Sequence, residues 1–198
     1  THALQLGRYQ SIALAGFSLG GNVVLMYLSR DREKVPDAVK AAVAFSVPCH
    51  IPSANDCINH WQNALYRYRF MDSLNRKMRQ KAKRFPEALP HPQLRSTSFL
   101  TFDDHFTAPV HGFKDAQEYW ESCSSLSYLP KIEKPIWLID ARDDPFLSTV
   151  CYPLELATQH PRFFLEVPRW GGHVGFYSPG RRHLWSEKRA MGFVSTAC

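Results

Sequence analysis

The sequence is poor in the features that mark a membrane-spanning, secreted or metal-built protein. No apolar run approaches the ~18 residues a membrane span requires, and the richest stretches, residues 11–17 and 41–47, have only strand length. Cysteine is scarce: Cys49, Cys57, Cys123, Cys151 and Cys198 form an odd set with no CxxC pair. That speaks against a disulfide framework or a zinc ribbon and for a reducing compartment, so the expected location is cytoplasmic, with or without peripheral contact to a membrane. No signal-peptide pattern opens the chain, and no repeat or low-complexity tract interrupts it. What is present is ordinary globular material: 198 residues, 44% hydrophobic and 21% charged, which excludes a disordered or collagen-like chain.

Acidic residues are also short in supply, but only locally. Residues 67–84 hold eight cations (Arg67, Arg69, Arg76, Lys77, Arg79, Lys81, Lys83, Arg84) and a single acid, Asp72. That segment carries +7 against a whole-chain net charge of +6, so the remainder sums to −1. The basicity belongs to one segment rather than to the fold.

Two stretches, 11–15 and 41–47, are continuously apolar rather than alternating, as suits a parallel sheet covered on both faces. Between them, residues 22–29 read as a helix. Further strands are predicted at 135–140 and 162–167, and helices at 115–123, 152–159 and 182–193. Alternation of this kind implies a mainly parallel α/β sheet with right-handed crossovers. Residues 48–112 break the rhythm. Ile58, Trp61, Leu65 and Tyr68 recur at helical spacing, as do Met71, Leu74, Met78, Ala82 and Phe85, until Pro86, Pro90 and Pro92 end the pattern. This segment is read as a helical lid inserted into a single α/β domain spanning 1–198.

Gly16-Phe17-Ser18-Leu19-Gly20 matches G-x-S-x-G between a strand and a helix, the context that motif needs. The sharp turn would expose the serine hydroxyl at a helix N-terminus, and the flanking glycines would avoid collisions with neighbouring elements. A serine hydroxyl is a weak nucleophile at neutral pH; it needs a base, and the base needs an orienting carboxylate. In this architecture the chain order is Ser, then Asp or Glu, then His. Asp144 lies four residues past the strand ending at 140, and His173 six past the strand ending at 167. Both fall beyond C-terminal strand ends, where open parallel sheets bind ligands. Asp144 is favoured as the carboxylate, with Asp143 the alternative and Asp140 structural.

These residues resemble the α/β-hydrolase superfamily, in the branch of the YheT-like and ABHD-type acyl hydrolases. The resemblance rests on residues 16–22, 102–113 (Phe-Asp-Asp-His-Phe-Thr-Ala-Pro-Val-His-Gly-Phe), 119–125, 139–146 and 171–176. It implies a mainly parallel sheet flanked by helices with a helical lid, and a hydrolase of carboxylic esters using Ser18, His173 and Asp144. The Leu19 N–H would supply one oxyanion donor. The family normally has several strands before the nucleophile turn and a His-Gly loop that gives a second donor. The chain starts at Thr1, about ten residues before its first strand. It is therefore expected to be the C-terminal two-thirds of an enzyme, insoluble or inactive when expressed alone.

Trp61, Leu65, Phe70 and Met71 are candidate walls of an acyl pocket, which favours a medium-chain or lipid-like ester. No cofactor is expected, and no metal: Asp103, Asp104, His105 and His111 have no zinc or iron spacing and read as a packed, hydrogen-bonded segment. The expected partner is a small-molecule or lipid ester. Residues 67–84 read first as a solvated helix face, then as a contact with anionic membrane, and last as a nucleic-acid surface. Two rival functions are an acyltransferase on the same fold, separable by product analysis with competing alcohols, and a non-catalytic binding protein using the basic lid.

Overall fold

The computed structural model describes residues 2–88, 95–177, 180 and 183–197. In chain order the main elements are α1 (His2–Gln5), β1 (Ile12–Phe17), α2 (Leu19–Ser29), β2 (Val39–Phe45), α3 (Ile51–Asn59) and α4 (Ala64–Arg84). There follow α5 (Phe99–Phe102), α6 (Ala108–His111), α7 (Ala116–Cys123), β3 (Ile136–Ile139), α8 (Leu154–Gln159), β4 (Phe163–Glu166) and α9 (Trp185–Ala197). Pro90, Pro92, Arg182 and Cys198, which bear on the sequence expectations, lie outside the described residues.

The chain divides into two compact units, one of residues 1–49 and 124–198 and the other of residues 50–123. The first unit holds a four-stranded, all-parallel sheet in the order β1-β2-β3-β4, so the α/β expectation stands. Apart from Lys40 of β2 and Glu166 of β4 its strands are apolar, because both faces of the central strands are covered. Ala42 and Ala44 of β2, with Ile136 and Leu138 of β3, pack in a cluster with Leu25 and Leu28 of α2. The alternate residues Val43, Phe45, Trp137 and Ile139 meet Phe176 and the α9 side chains Trp185 and Phe193 on the other face. Successive side chains of a strand point to opposite faces, so one uninterrupted apolar run can serve two cores. No disulfide forms among the described cysteines, and no described helix is long and apolar enough to cross a membrane.

The second unit is helical and runs to Cys123, beyond the boundary at 112 expected from sequence. The helix at 116–123, expected to mark the return of α/β alternation, instead packs on α3 inside this unit. Ile58, Trp61, Leu65 and Tyr68 do not share one helix either. The Asn63 amide donates to the Cys57 carbonyl (2.9 Å), and the Arg67 guanidinium donates to the Asn59 carbonyl (2.7 Å). These polar caps satisfy the last carbonyls of α3, so the helix stops at Asn59 and a tight 3₁₀ turn precedes α4. Met71, Leu74, Met78 and Ala82 keep their common face and pack with Phe99, Phe102 and Phe106. Phe85 terminates the helix and is exposed.

Candidate active site

The sheet positions the site through its register. Phe17 pairs with Phe45, Phe45 with Ile139, and Ile139 with Glu166, so the strands end level with one another. The next residue of each of the first three strands continues the ladder: Ser18 N–H donates to the Phe45 carbonyl (2.8 Å), Ser46 N–H to Ile139 (2.9 Å) and Asp140 N–H to Glu166 (3.1 Å). Three polar residues thus leave an apolar sheet along a single rim.

Ser18 sits at φ 51°, ψ −128°, immediately before α2, a backbone conformation that L-residues rarely adopt. Holding it costs about 1–3 kcal/mol, supplied by the packing around the turn. A Cβ on Gly16 would lie 2.6 Å from the Gly21 Cα, so strand and helix approach too closely for any side chain there. Gly20 has open space instead, among the described residues, while a Cβ on Gly21 would meet Val47 at 2.5 Å. The close contacts therefore fall on Gly16 and Gly21 rather than on the second glycine of the pentapeptide, which corrects the expectation that both flanking glycines avoid collisions.

The residues picked from chain order come together. His173 Nε2 lies 2.9 Å from Ser18 Oγ, and His173 Nδ1 lies 2.9 Å from Asp144 Oδ2 and 3.1 Å from Oδ1. The Asp144 side chain is fully buried, and its Oδ1 also accepts from Phe146 N–H (2.9 Å). The Phe146 ring lies 4.6 Å from the imidazole, centroid to centroid, and closes one side of it. With the proton on Nδ1 facing the carboxylate, Nε2 is left as the acceptor for the serine hydroxyl.

Asp143 points elsewhere. Its Oδ1 accepts from both Gly171 N–H and Gly172 N–H, each at 2.8 Å. On the other side of the histidine, Val174 N–H donates to Ser46 Oγ (3.0 Å). The loop carrying His173 is thus tied down on both flanks, which matters because Gly172, Val174 and Phe176 all have positive φ. Chain order alone leaves Asp143 a rival to Asp144 and passes over Ser46. The available signal for Ser46 is its place as the first polar residue after a buried strand, the same place Ser18 occupies.

Asp140 is fully buried, as its structural role requires. Its Oδ1 accepts from Val47 N–H (2.8 Å), and its Oδ2 has no partner among the described residues. Burial, with smaller contributions from Cys151 and Asp144, pushes this carboxyl well above its ordinary range. The folded chain therefore holds this proton to higher pH than the unfolded chain, whose carboxyl titrates near pH ~4. Its stabilising contribution is complete below that pH and declines as pH rises toward the folded value. Asp140→Asn keeps an acceptor for Val47 and cannot ionise. Thermal melts of the intact protein should show the variant gaining on wild type between pH 4 and pH 8; a constant difference would mean the group is ionised in the fold.

The other candidates separate. Leu19 begins α2 with its N–H in the first turn, beside Ser18. In the helical unit, Trp61 (75%), Leu65 (72%) and Phe70 (43%) are exposed. Met71, by contrast, is 4% exposed and packs with Phe102 and Phe106 in that unit's core. Asp103 accepts from Thr107 Oγ1 (2.5 Å) and Trp120 Nε1 (2.7 Å), and Asp104 from Ala116 N–H (2.7 Å). These carboxylates are committed to hydrogen bonds, and no cluster that could hold a metal occurs among the described residues.

The chain matches the family model of the alpha/beta hydrolase fold over residues 2–178. It is 31% identical over 189 residues to YheT of Escherichia coli, named as a candidate esterase, covering 93% of this chain and 55% of that one. It is 26% identical over 209 residues to the human monoacylglycerol lipase ABHD2, covering 94% of this chain and 48% of the relative. Among solved structures, the esterase Pf2001 of Pyrococcus furiosus superposes with a TM-score of 0.54 at 18% identity, over 99% of this chain and 58% of that one. The chain spans about half the length of the curated relatives it matches. The parallel sheet, the strained serine at its rim and these matches together place the chain in the alpha/beta hydrolase family, in the branch of YheT and the ABHD-type proteins.

Proposed function

We propose that this chain carries the catalytic triad of a serine hydrolase acting on carboxylic esters of medium-chain or lipid-like acyl groups. The observation that carries the reading is the unbroken relay from Asp144 through His173 to Ser18, with both contacts at 2.9 Å. Ser18 Oγ attacks the ester carbonyl while its proton passes to His173 Nε2. Asp144 holds the ring in that tautomer and stabilises the imidazolium that forms. The carbonyl oxygen becomes an oxyanion beside the first turn of α2, where the Leu19 N–H and the helix dipole favour negative charge. Collapse of the tetrahedral species expels the alcohol, which takes the proton from His173. Water then enters, gives up a proton to the same imidazole and bonds to the acyl carbon; the C–Oγ bond breaks, releasing the acid, and the proton returns from His173 to Ser18 Oγ.

The lipid-like class draws on the name of the relative ABHD2, a monoacylglycerol lipase. A fluorophosphonate tests the core of the reading, because it phosphonylates only a serine whose proton can be removed. The intact protein should take up one phosphonyl group per chain, mapped by peptide mass to Ser18. Absence of labelling, or labelling elsewhere, would overturn the assignment.

A further inference from the structure

The helical unit carries a strongly basic surface on its longest helix. Along the 21 residues of α4 the inward face is Met71, Leu74, Asn75, Met78 and Ala82. Arg69, Arg76 and Lys83 are seven residues apart and fall in one line on the opposite face, and Lys77 and Arg84 form a second line beside them. All five are exposed. Among the described residues α4 makes one side-chain ion pair, Arg76 with Asp72 (2.6 Å). Lys77 with Lys81 and Arg79 with Lys83 are like-charge pairs at i, i+4, a spacing that weakens a helix standing alone in water. At the N-terminal end of the helix, and in the turn before it, Trp61, Leu65, Tyr66 and Tyr68 are exposed.

We propose that α4 and the turn before it form a docking surface for an anionic phospholipid bilayer, with Trp61 and Leu65 entering the interface and the cations of α4 lying along the headgroups. Three observations select this occupant. The charge is of one sign on one element, while the rest of the chain sums to −1, so attraction would orient the molecule rather than merely bind it. Four of the five exposed aromatics in and beside α4 (Trp61, Tyr66, Tyr68 and Phe70) are gathered at its N-terminal end, with Phe85 alone at the other, as an interfacial anchor requires; indole and phenol rings prefer the boundary between hydrocarbon and water. Between Met71 and Arg84, where six of the eight cations lie, there is no aromatic residue on which a base could stack. A single-stranded nucleic-acid track would need such platforms along its length.

Flotation of the intact protein with vesicles tests this independently of catalysis, since the inactive Ser18→Ala form should bind equally well. Binding to vesicles of 70% phosphatidylcholine and 30% phosphatidylglycerol should exceed binding to phosphatidylcholine alone by at least 10-fold. It should also weaken steeply between 50 and 500 mM salt. Arg69→Gln/Arg76→Gln/Lys83→Gln/Arg84→Gln should lose on the order of 10²-fold of that affinity and keep its rate on a soluble short-chain ester. A control with the same charge change in the other unit (Arg8→Gln/Lys34→Gln/Lys131→Gln/Lys188→Gln) should lose far less. Equal binding to neutral vesicles, equal losses in both quadruple variants, or tighter binding to a single-stranded oligonucleotide would each overturn the proposal. Should the α4 variant fail to fold, the lipid and salt series on wild type decide alone.

Discussion

Ser18→Ala and His173→Ala are each expected to lower kcat for ester hydrolysis by ~10⁶, and the double variant is expected to be no worse than either. The reason is the proposed relay: with Ser18 Oγ 2.9 Å from His173 Nε2, neither group would do anything for acyl transfer without the other. Asp144→Asn should cost less, ~10⁴, because an amide can present its N–H to the imidazole and leave it in the wrong tautomer. Asp143→Asn gives the contrast that identifies the roles. Asparagine at 143 keeps an oxygen to accept from Gly171 and Gly172, so the rate should stay within about 10-fold of wild type. Asp143→Ala removes both contacts, loosens the loop carrying His173, and should fall between those values, with KM nearly unchanged. Steady-state kinetics on one chromogenic ester, with near-wild-type melting as the check on folding, measure all six variants. If Asp143→Asn were as damaging as Asp144→Asn, the division of labour between the adjacent carboxylates would be wrong.

Much of this arrangement is legible in the amino-acid sequence. The strands can be read because a two-faced parallel sheet writes itself as unbroken apolar runs. The order Ser18, Asp144, His173 can be read because each residue follows a strand end. Side-chain partners across the chain cannot. Nothing local distinguishes Asp143 from Asp144; only the path of the loop 28 residues later decides that one meets two backbone N–H groups and the other an imidazole. Ser46 is silent for the same reason, since its partner is Val174, 128 residues away. The helical unit misleads through periodicity. Ile58, Trp61, Leu65 and Tyr68 fit a 3.6-residue repeat, but two polar side chains, Asn63 and Arg67, end the helix at Asn59. Hydrophobic spacing says where a face could lie and not where capping interrupts it. Met71 shows the same limit: an apolar residue on an amphipathic helix reads alike as pocket wall or core, and only the structure shows it packed with Phe102 and Phe106 at 4% exposure.

Gly16→Ala should damage both stability and turnover, while Gly20→Ala, inside the same pentapeptide, should leave both nearly intact. A methyl on Gly16 would sit 2.6 Å from Gly21 Cα, 2.7 Å from the Gly20 carbonyl oxygen and 2.8 Å from Gly21 N. All three are backbone atoms, so no rotamer change relieves the contact, and β1 must separate from the start of α2 by close to 1 Å. Overpacking of this kind costs roughly 3 kcal/mol, or about 6–12 °C in Tm for a chain of this size. The displacement also falls on the turn that aims Ser18, and a shift of ~1 Å at a reacting atom costs on the order of 10²-fold in rate. At Gly20 a methyl meets nothing within 4 Å among the described residues, and in the first turn of α2 alanine is the better helix former. Its Tm should hold or rise slightly. Melting curves and kcat for the two variants in the intact protein give the comparison, and equal behaviour would mean that close packing of β1 against α2 does not aim the serine.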